Sequence, residues 1–169
     1  MAIANQKGGV GKTTTAINLA TALVAINKKV LIIDLDAQGN ASTGLGVSLE
    51  DRSLSTYDVI VGSSELSAVI KNTSVPDLYI APATTDLSSS DMDLVSNEKR
   101  TMILKESIDK LLKYSHNFNY VIIDCPPALS LLTINAFVAS ESVLVPLQAE
   151  FFALEGLSQL MLTIREVRG

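Results

Sequence analysis

The chain has 169 residues, 47% hydrophobic and 18% charged, a composition that suits one globular domain (1–169) with a sizeable core and excludes disorder. Thirteen Lys and Arg against eighteen Asp and Glu leave a formal charge of −5. That balance excludes a general attraction to nucleic acid or anionic lipid and leaves such contacts to a local basic patch or a missing segment. The single cysteine, Cys125, cannot form an intrachain disulfide, which predicts a reducing cytoplasm.

In chain order, Ala2-Ile3-Ala4 is the end of a buried strand. From about Thr13 to Ile26 the residues Ile17, Ala20, Leu23 and Val24 recur at helical spacing. The apolar stretch 16–26 loosely imitates a signal peptide, but Asn18 and Thr21 interrupt it and a glycine loop precedes it, so targeting is rejected. No run of eighteen apolar residues occurs, and no membrane span is expected. After Asn27-Lys28-Lys29 comes Val30-Leu31-Ile32-Ile33-Asp34, the continuous apolar run of a strand covered on both faces. The stretch from Ala41 to Pro76 is polar and carries no clear period. Leu78-Tyr79-Ile80-Ala81 is a weaker strand closed by Pro82, and Asp86 to Lys99 is a solvated loop or helix start.

A helix is expected from about Lys99 to Tyr114, with Met102-Ile103, Ile108, Leu111 and Leu112 near one face. Tyr120-Val121-Ile122-Ile123-Asp124 is a second buried strand, ended by Cys125-Pro126-Pro127. Ser142-Val143-Leu144-Val145-Pro146 is a further strand, and Leu154, Leu157, Met161 and Ile164 stripe a last helix. Strands separated by helices predict an α/β fold whose mostly parallel sheet has helices on both faces. Ligands in such sheets sit at the carboxyl ends of strands, where Asp34 and Asp124 lie.

Between the first strand and the first helix stands Lys7-Gly8-Gly9-Val10-Gly11-Lys12-Thr13-Thr14. Glycines let the backbone approach phosphate oxygens, successive amides point into the concavity, and the helix N-terminus adds favourable partial charge. This is a P-loop in its required strand–loop–helix context, with one departure: Gln6 occupies the place of the first glycine. Lys12 would neutralise the outer phosphates, Thr13 would bind Mg²⁺ through its hydroxyl, and Thr14 would donate to the α-phosphate. The fixed letters K-G-G-x-G-K-T-T recur by chance about once in 10⁸ positions or fewer. Lys7, at the loop entrance, suits a cation supplied across a subunit interface in the manner of an arginine finger. Asp34 and Asp36 share a face in extended backbone, and continuity past the strand end would turn Asp36 into the site. One carboxylate would hold metal-bound water while the other orients the attacking water. Asp124 is a candidate second-shell magnesium ligand.

With Asn5-Gln6-Lys7 through Thr14, Asp34-Leu35-Asp36-Ala37-Gln38-Gly39-Asn40, Asp124-Cys125-Pro126-Pro127 and Glu150-Phe151-Phe152-Ala153-Leu154-Glu155-Gly156-Leu157, the chain resembles the ParA/Soj partition ATPases. These belong to the wider group that includes MinD and the nitrogenase iron protein. The resemblance implies a P-loop NTPase fold lacking its last C-terminal elements, with ATP and Mg²⁺ as cofactors. It makes Lys7 the signature lysine acting in trans, Lys12 the phosphate lysine, Thr13 a magnesium ligand, Asp36 the residue that positions hydrolytic water, and Asp124 the second acidic motif. Thr13, Asp36 and Asp124 are the candidate metal residues. The implied cycle is ATP-driven homodimerisation and nonspecific DNA binding, then hydrolysis stimulated by a ParB-type centromere-binding protein. Such a protein works in the cytoplasm on the nucleoid, without a membrane.

A MinD-like membrane-cycling ATPase shares the loop, but Asp36 to Asn40 and Glu150 to Leu157 favour partition. A nitrogenase-type iron protein needs two cysteines per chain and is excluded. A nucleotide-binding fragment without turnover is the alternative of a different class. His116 is read as a surface residue, Cys125 as a small buried one, Phe151-Phe152 as packing, and Pro126-Pro127 as a stiffener of the loop near the phosphates.

Overall fold

A computed structural model of the chain describes residues 1–114, 117–148 and 153–168, the side chains of 153–155 and 168 excepted. Among the described residues six strands form one sheet: β1 (Ala2–Ile3), β2 (Val30–Asp34), β3 (Lys71–Asn72), β4 (Leu78–Ala81), β5 (Tyr120–Asp124) and β6 (Val143–Leu144). Their spatial order is β3-β4-β2-β5-β1-β6, and only β3, at one edge, runs antiparallel. Parallel neighbours need crossovers, and the segments between strands carry α1 (Lys12–Ala25), α2 (Asn40–Gly44), α3 (Thr56–Ile60), α4 (Leu66–Val69), α5 (Ser90–Asp93), α6 (Ile103–Tyr114) and α7 (Leu131–Val138), while α8 (Ala153–Arg168) follows β6. The expected P-loop α/β architecture is present.

The period-2 geometry of β2 sends alternate side chains to opposite faces, and both faces are dry. Val30 and Ile32 join Ala16 and Ala20 of α1, Ala41 of α2 and Ile122 of β5 in one core layer. Leu31 and Ile33 join Val59 and Ile60 of α3, Leu66 and Val69 of α4, Leu104 and Ile108 of α6, Phe137 of α7 and Leu160 of α8 in the other. A strand buried on both faces cannot alternate polar and apolar residues, which is why β2 reads as an unbroken apolar run. The small Ala16 and Ala20 let α1 lie close on the sheet. Gly44 lets α2 approach α1, since a Cβ there would meet Ile17 Cδ1 at 2.9 Å.

Three expectations shift. The helix expected from Lys99 begins at Ile103, after a turn in which the Met102 amide bonds the Lys99 carbonyl. Its buried face is Leu104, Ile108 and Leu111, while Leu112 is 44% exposed. Asn135 of α7 sets that start: its side-chain oxygen accepts from the Leu104 amide at 3.2 Å, and its amide donates to Arg100 and Leu131 carbonyls at 2.7 and 3.0 Å. The strand expected over Ser142–Pro146 is only Val143–Leu144. In α8, Leu160 is buried and Met161 is 44% exposed, so the packed stripe runs through Leu160, Ile164 and Val167. The stretch 41–76 holds α2, α3, α4 and β3, and 86–99 holds α5 with Leu87 and Leu94 buried. His116, Glu150, Phe151 and Phe152 lie outside the described residues.

Asn135 satisfies three backbone groups at once, in α6, in α7 and in the turn before α6, and the Asn135→Ala variant should lose about 2 kcal/mol or more of unfolding free energy in denaturant titrations.

Candidate nucleotide-binding site

The site lies at the carboxyl ends of the central strands. β5 pairs in register with both neighbours, so Asp124 stands beside Asp34 of β2 and beside Ile3 of β1. Two carboxylates and the root of the glycine loop are therefore side by side before any side chain chooses a direction. From β1 the chain turns at Asn5, whose side-chain amide donates to the Pro146 carbonyl at 2.8 Å while its oxygen accepts from the Lys7 amide at 3.0 Å. Gly9 and Gly11 adopt φ of 74° and 90°, a left-handed region that β-carbons disfavour. α1 then starts at Lys12, and its first-turn amides have no intrahelical acceptors.

Gly8, Gly9, Gly11, Lys12, Thr13 and Thr14 line an open cavity of about 360 Å³, which Asp36, Gln38, Asn40 and Pro127 complete. Lys7 is exposed and Val10 is buried beneath the loop. Lys12 is buried along its stem and its ammonium donates to the Lys7 carbonyl at 3.2 Å, so it waits folded over the loop's mouth. A cleft of about 390 Å³ lies at the opposite end of the sheet, lined by Ile108, Leu112, Phe118, Tyr120 and Val121. It is slightly larger, but it has neither an amide cradle nor a buried lysine, so chemistry rather than size picks the P-loop cavity.

The two strand-end aspartates differ. Asp34 is fully buried and occupied: Ser42 donates to it from Oγ at 2.7 Å and from its amide at 2.9 Å, and the Asp36 amide donates at 3.2 Å. Burial raises its pKa above 3.8 despite these donors. Asp34 is thus a strut of the loop and not one of the cavity's lining residues. Asp36 takes the position inside the cavity, with its Oδ1 accepting from the Gln38 amide at 3.0 Å and its carbonyl from the Gly39 amide at 2.8 Å.

Asp124 is 1% exposed, and among the described residues neither of its carboxylate oxygens has a partner of hydrogen-bond geometry. Burial pushes its pKa to about 7; the nearby Thr13 hydroxyl opposes this, the charges of Asp34 and Asp36 add to it, and Lys12 lowers it. An orphaned buried carboxylate beside a P-loop threonine fits a hydrated Mg²⁺, which takes few protein ligands and completes its shell with water and phosphate oxygens. Cys125 is buried and its thiol pKa is raised by burial, the inert reading expected of it. Gln38, Asn40 and Pro127 belong to the cavity wall. The sequence had marked them through the two motifs that follow the strand-end aspartates, and Pro127 also as part of a stiffened loop near the phosphates. Gln148, whose amide reaches the Gly9 carbonyl at 3.4 Å, carried no such signal.

Strand, glycine cradle, folded-back lysine and opposed acidic loop define a P-loop nucleotide-binding protein. The sequence model of the family described as "AAA domain" matches residues 1–169. The chromosome partitioning protein ParA of Caulobacter vibrioides is 50% identical over all 169 residues, which cover 63% of that protein. The sporulation initiation inhibitor protein Soj of Bacillus subtilis is 48% identical over 99% of this chain and 65% of its own length. Among solved structures, cobyrinic acid a,c-diamide synthase from Mycobacterium smegmatis with bound ADP and magnesium superposes at a TM-score of 0.92. It is 39% identical, over 99% of this chain and 66% of that one. The chain belongs to the ParA/Soj family of P-loop proteins. It spans a little under two thirds of the length of these curated relatives.

Asp124 has a measurable consequence. Its unfolded carboxyl ionises near 3.8 and its native one near 7, so the native state binds the extra proton between these values. Metal-free stability should therefore fall as pH rises from 4 to 7, by a few kcal/mol at most. Unfolding curves in chelator should show Asp124→Asn more stable than the parent at pH 8, an advantage that disappears near pH 4.

Proposed function

We propose that the chain is the nucleotide-hydrolysing core of a partition ATPase of ParA/Soj type. ATP binding drives homodimerisation and DNA association, and hydrolysis to ADP and phosphate releases the DNA, serving chromosome or plasmid segregation. The observation that carries this reading is the convergence of Lys12, Thr13 and Asp36 on one cavity, with the unpartnered Asp124 behind it. The relatives' names support the partition role, and a bound nucleotide with magnesium in a structural neighbour supports the ligands.

In this reading the amides of residues 8–14 cradle the phosphates, and Lys12 leaves the Lys7 carbonyl to neutralise the outer ones. Asp36 orients water for attack on the γ-phosphorus as the bond to the ADP oxygen breaks. Mg²⁺, when bound by Thr13 with Asp124 and Asp36 near it, neutralises charge on the phosphate oxygens. Lys7, exposed and outside the cavity's lining, contributes its ammonium to the partner's nucleotide. The partner that stimulates turnover is a centromere-binding protein of ParB type. The site of action is the nucleoid in the cytoplasm. Among the described residues no helix is long and apolar enough to cross a membrane, and this cycle needs none.

Three variants of the full-length gene product test the reading. Lys12→Ala should lose ATP binding in titrations. Asp36→Ala should bind ATP and persist as a dimer in sedimentation, while phosphate release falls about 100-fold or more. Parental turnover by Asp36→Ala would sink the catalytic assignment. Lys7→Ala should bind ATP yet fail to dimerise or hydrolyse it, and normal behaviour in both assays would remove its role in trans.

A further inference from the structure

The segment from Leu35 to Val47 carries Asp36, Gln38 and Asn40 into the cavity, yet its helix α2 has only five residues. A helix this short is not stable by itself, so something outside it must hold its shape. Asp34 anchors its start through Ser42. The other anchor is Arg52, which is 5% exposed. Its Nη2 donates to Thr43 Oγ1 and to the Val47 carbonyl, both at 2.8 Å, and its Nε donates to the same carbonyl at 3.3 Å. Its Nη1 donates to the Ala83 carbonyl, just beyond β4, at 3.1 Å. Among the described residues no carboxylate forms an ion pair with it.

Burying a guanidinium against neutral acceptors costs desolvation that an apolar residue would avoid, so core stability alone gives no reason for an arginine here. Geometry does. Gly39 has a φ of 60°, and a Cβ on it would collide with Arg52 Nη1 and crowd the Ala83 carbonyl at 3.2 Å. The guanidinium plane therefore lies against the residue that closes the Asp36 turn, where the Gly39 amide bonds the Asp36 carbonyl. The same plane reaches the far end of α2 and the end of β4. Only a planar, multidentate cation joins these three places at once.

We propose that Arg52 is a positioning residue for hydrolysis: it clamps Gly39, the C-terminal end of α2 and the end of β4 into one rigid unit, and so fixes Asp36 against the P-loop. It does not line the cavity and acts through the segment 36–47. The kinetic part of this inference rests on the ATPase reading above.

The test compares Arg52→Lys, Arg52→Met and Thr43→Val with the parent in the full-length gene product. Arg52→Met should lower kcat about 10- to 100-fold, the cost of a displaced catalytic group, with ATP affinity little changed. Arg52→Lys should fall between the two, and Thr43→Val should show a smaller loss. Amide exchange read in the same proteins should quicken by about tenfold or more at Gln38, Gly39, Ser42 and Thr43, and stay parental at Thr15 and in β2. Parental turnover and exchange in a folded Arg52→Met protein would overturn the proposal. So would equal losses of affinity and turnover with exchange quickened across the whole sheet, which mark a merely structural residue. If Arg52→Met does not fold, Arg52→Lys and Thr43→Val decide by the same readouts. A parent that hydrolyses no ATP would sink the ATPase reading instead, and the exchange pattern alone would then judge Arg52.

Discussion

The insertion of β5 between β1 and β2 is the constraint on which the rest of the molecule depends. Its parallel register with both neighbours lines up Ile3, Asp124 and Asp34 at one end of the sheet. The glycine loop leaves from the first of these strands, and the Asp36 turn leaves from the last. Chain connectivity alone would keep Asp34 and Asp124 ninety residues apart. The backbone ladder sets them side by side with no help from side chains, and both core layers then fix the ladder by burying alternate residues of β2.

That arrangement concentrates charge in a region of low dielectric, and the two carboxylates resolve the problem differently. Asp34 is stabilised by three donors within its own loop and serves as scaffold. Among the described residues Asp124 has no partner of hydrogen-bond geometry, and burial, against the nearby Thr13 hydroxyl, raises its pKa to about 7. One is satisfied within its own segment and the other is not. The lysines differ too, since Lys12 is drawn inward onto the Lys7 carbonyl whereas Lys7 is exposed.

Legibility followed the range of the forces. β2, β4 and β5 were read from the sequence with their bounds intact, because a doubly covered strand demands an unbroken apolar run. The start of α6 was misplaced by four residues, because the Asn135 side chain, from α7, sets it. The stretch 41–76 was opaque for a related reason. Its short helices are held by long-range hydrogen bonds: the Arg52 side chain to Ala83, the Thr56 hydroxyl to the Asp34 carbonyl, and the Thr56 backbone amide to Pro82. Such bonds leave no periodic trace.

The sequence by itself determined the α/β class, the phosphate cradle of residues 7–14 and the family resemblance, since each depends on neighbours along the chain: local spacing, glycine conformation and apolar runs. Only the tertiary structure decided between the two aspartates of the Asp34-Leu35-Asp36 segment. Both share a face in an ideal strand, but the chain turns after Asp34, and Ser42, eight residues later, claims the first carboxylate and leaves Asp36 to the cavity. Tertiary structure likewise turned Arg52 from an ordinary loop residue into the clamp of that turn. Its acceptors include Ala83, thirty-one residues further along, and no pattern in the sequence links the two before the sheet is built.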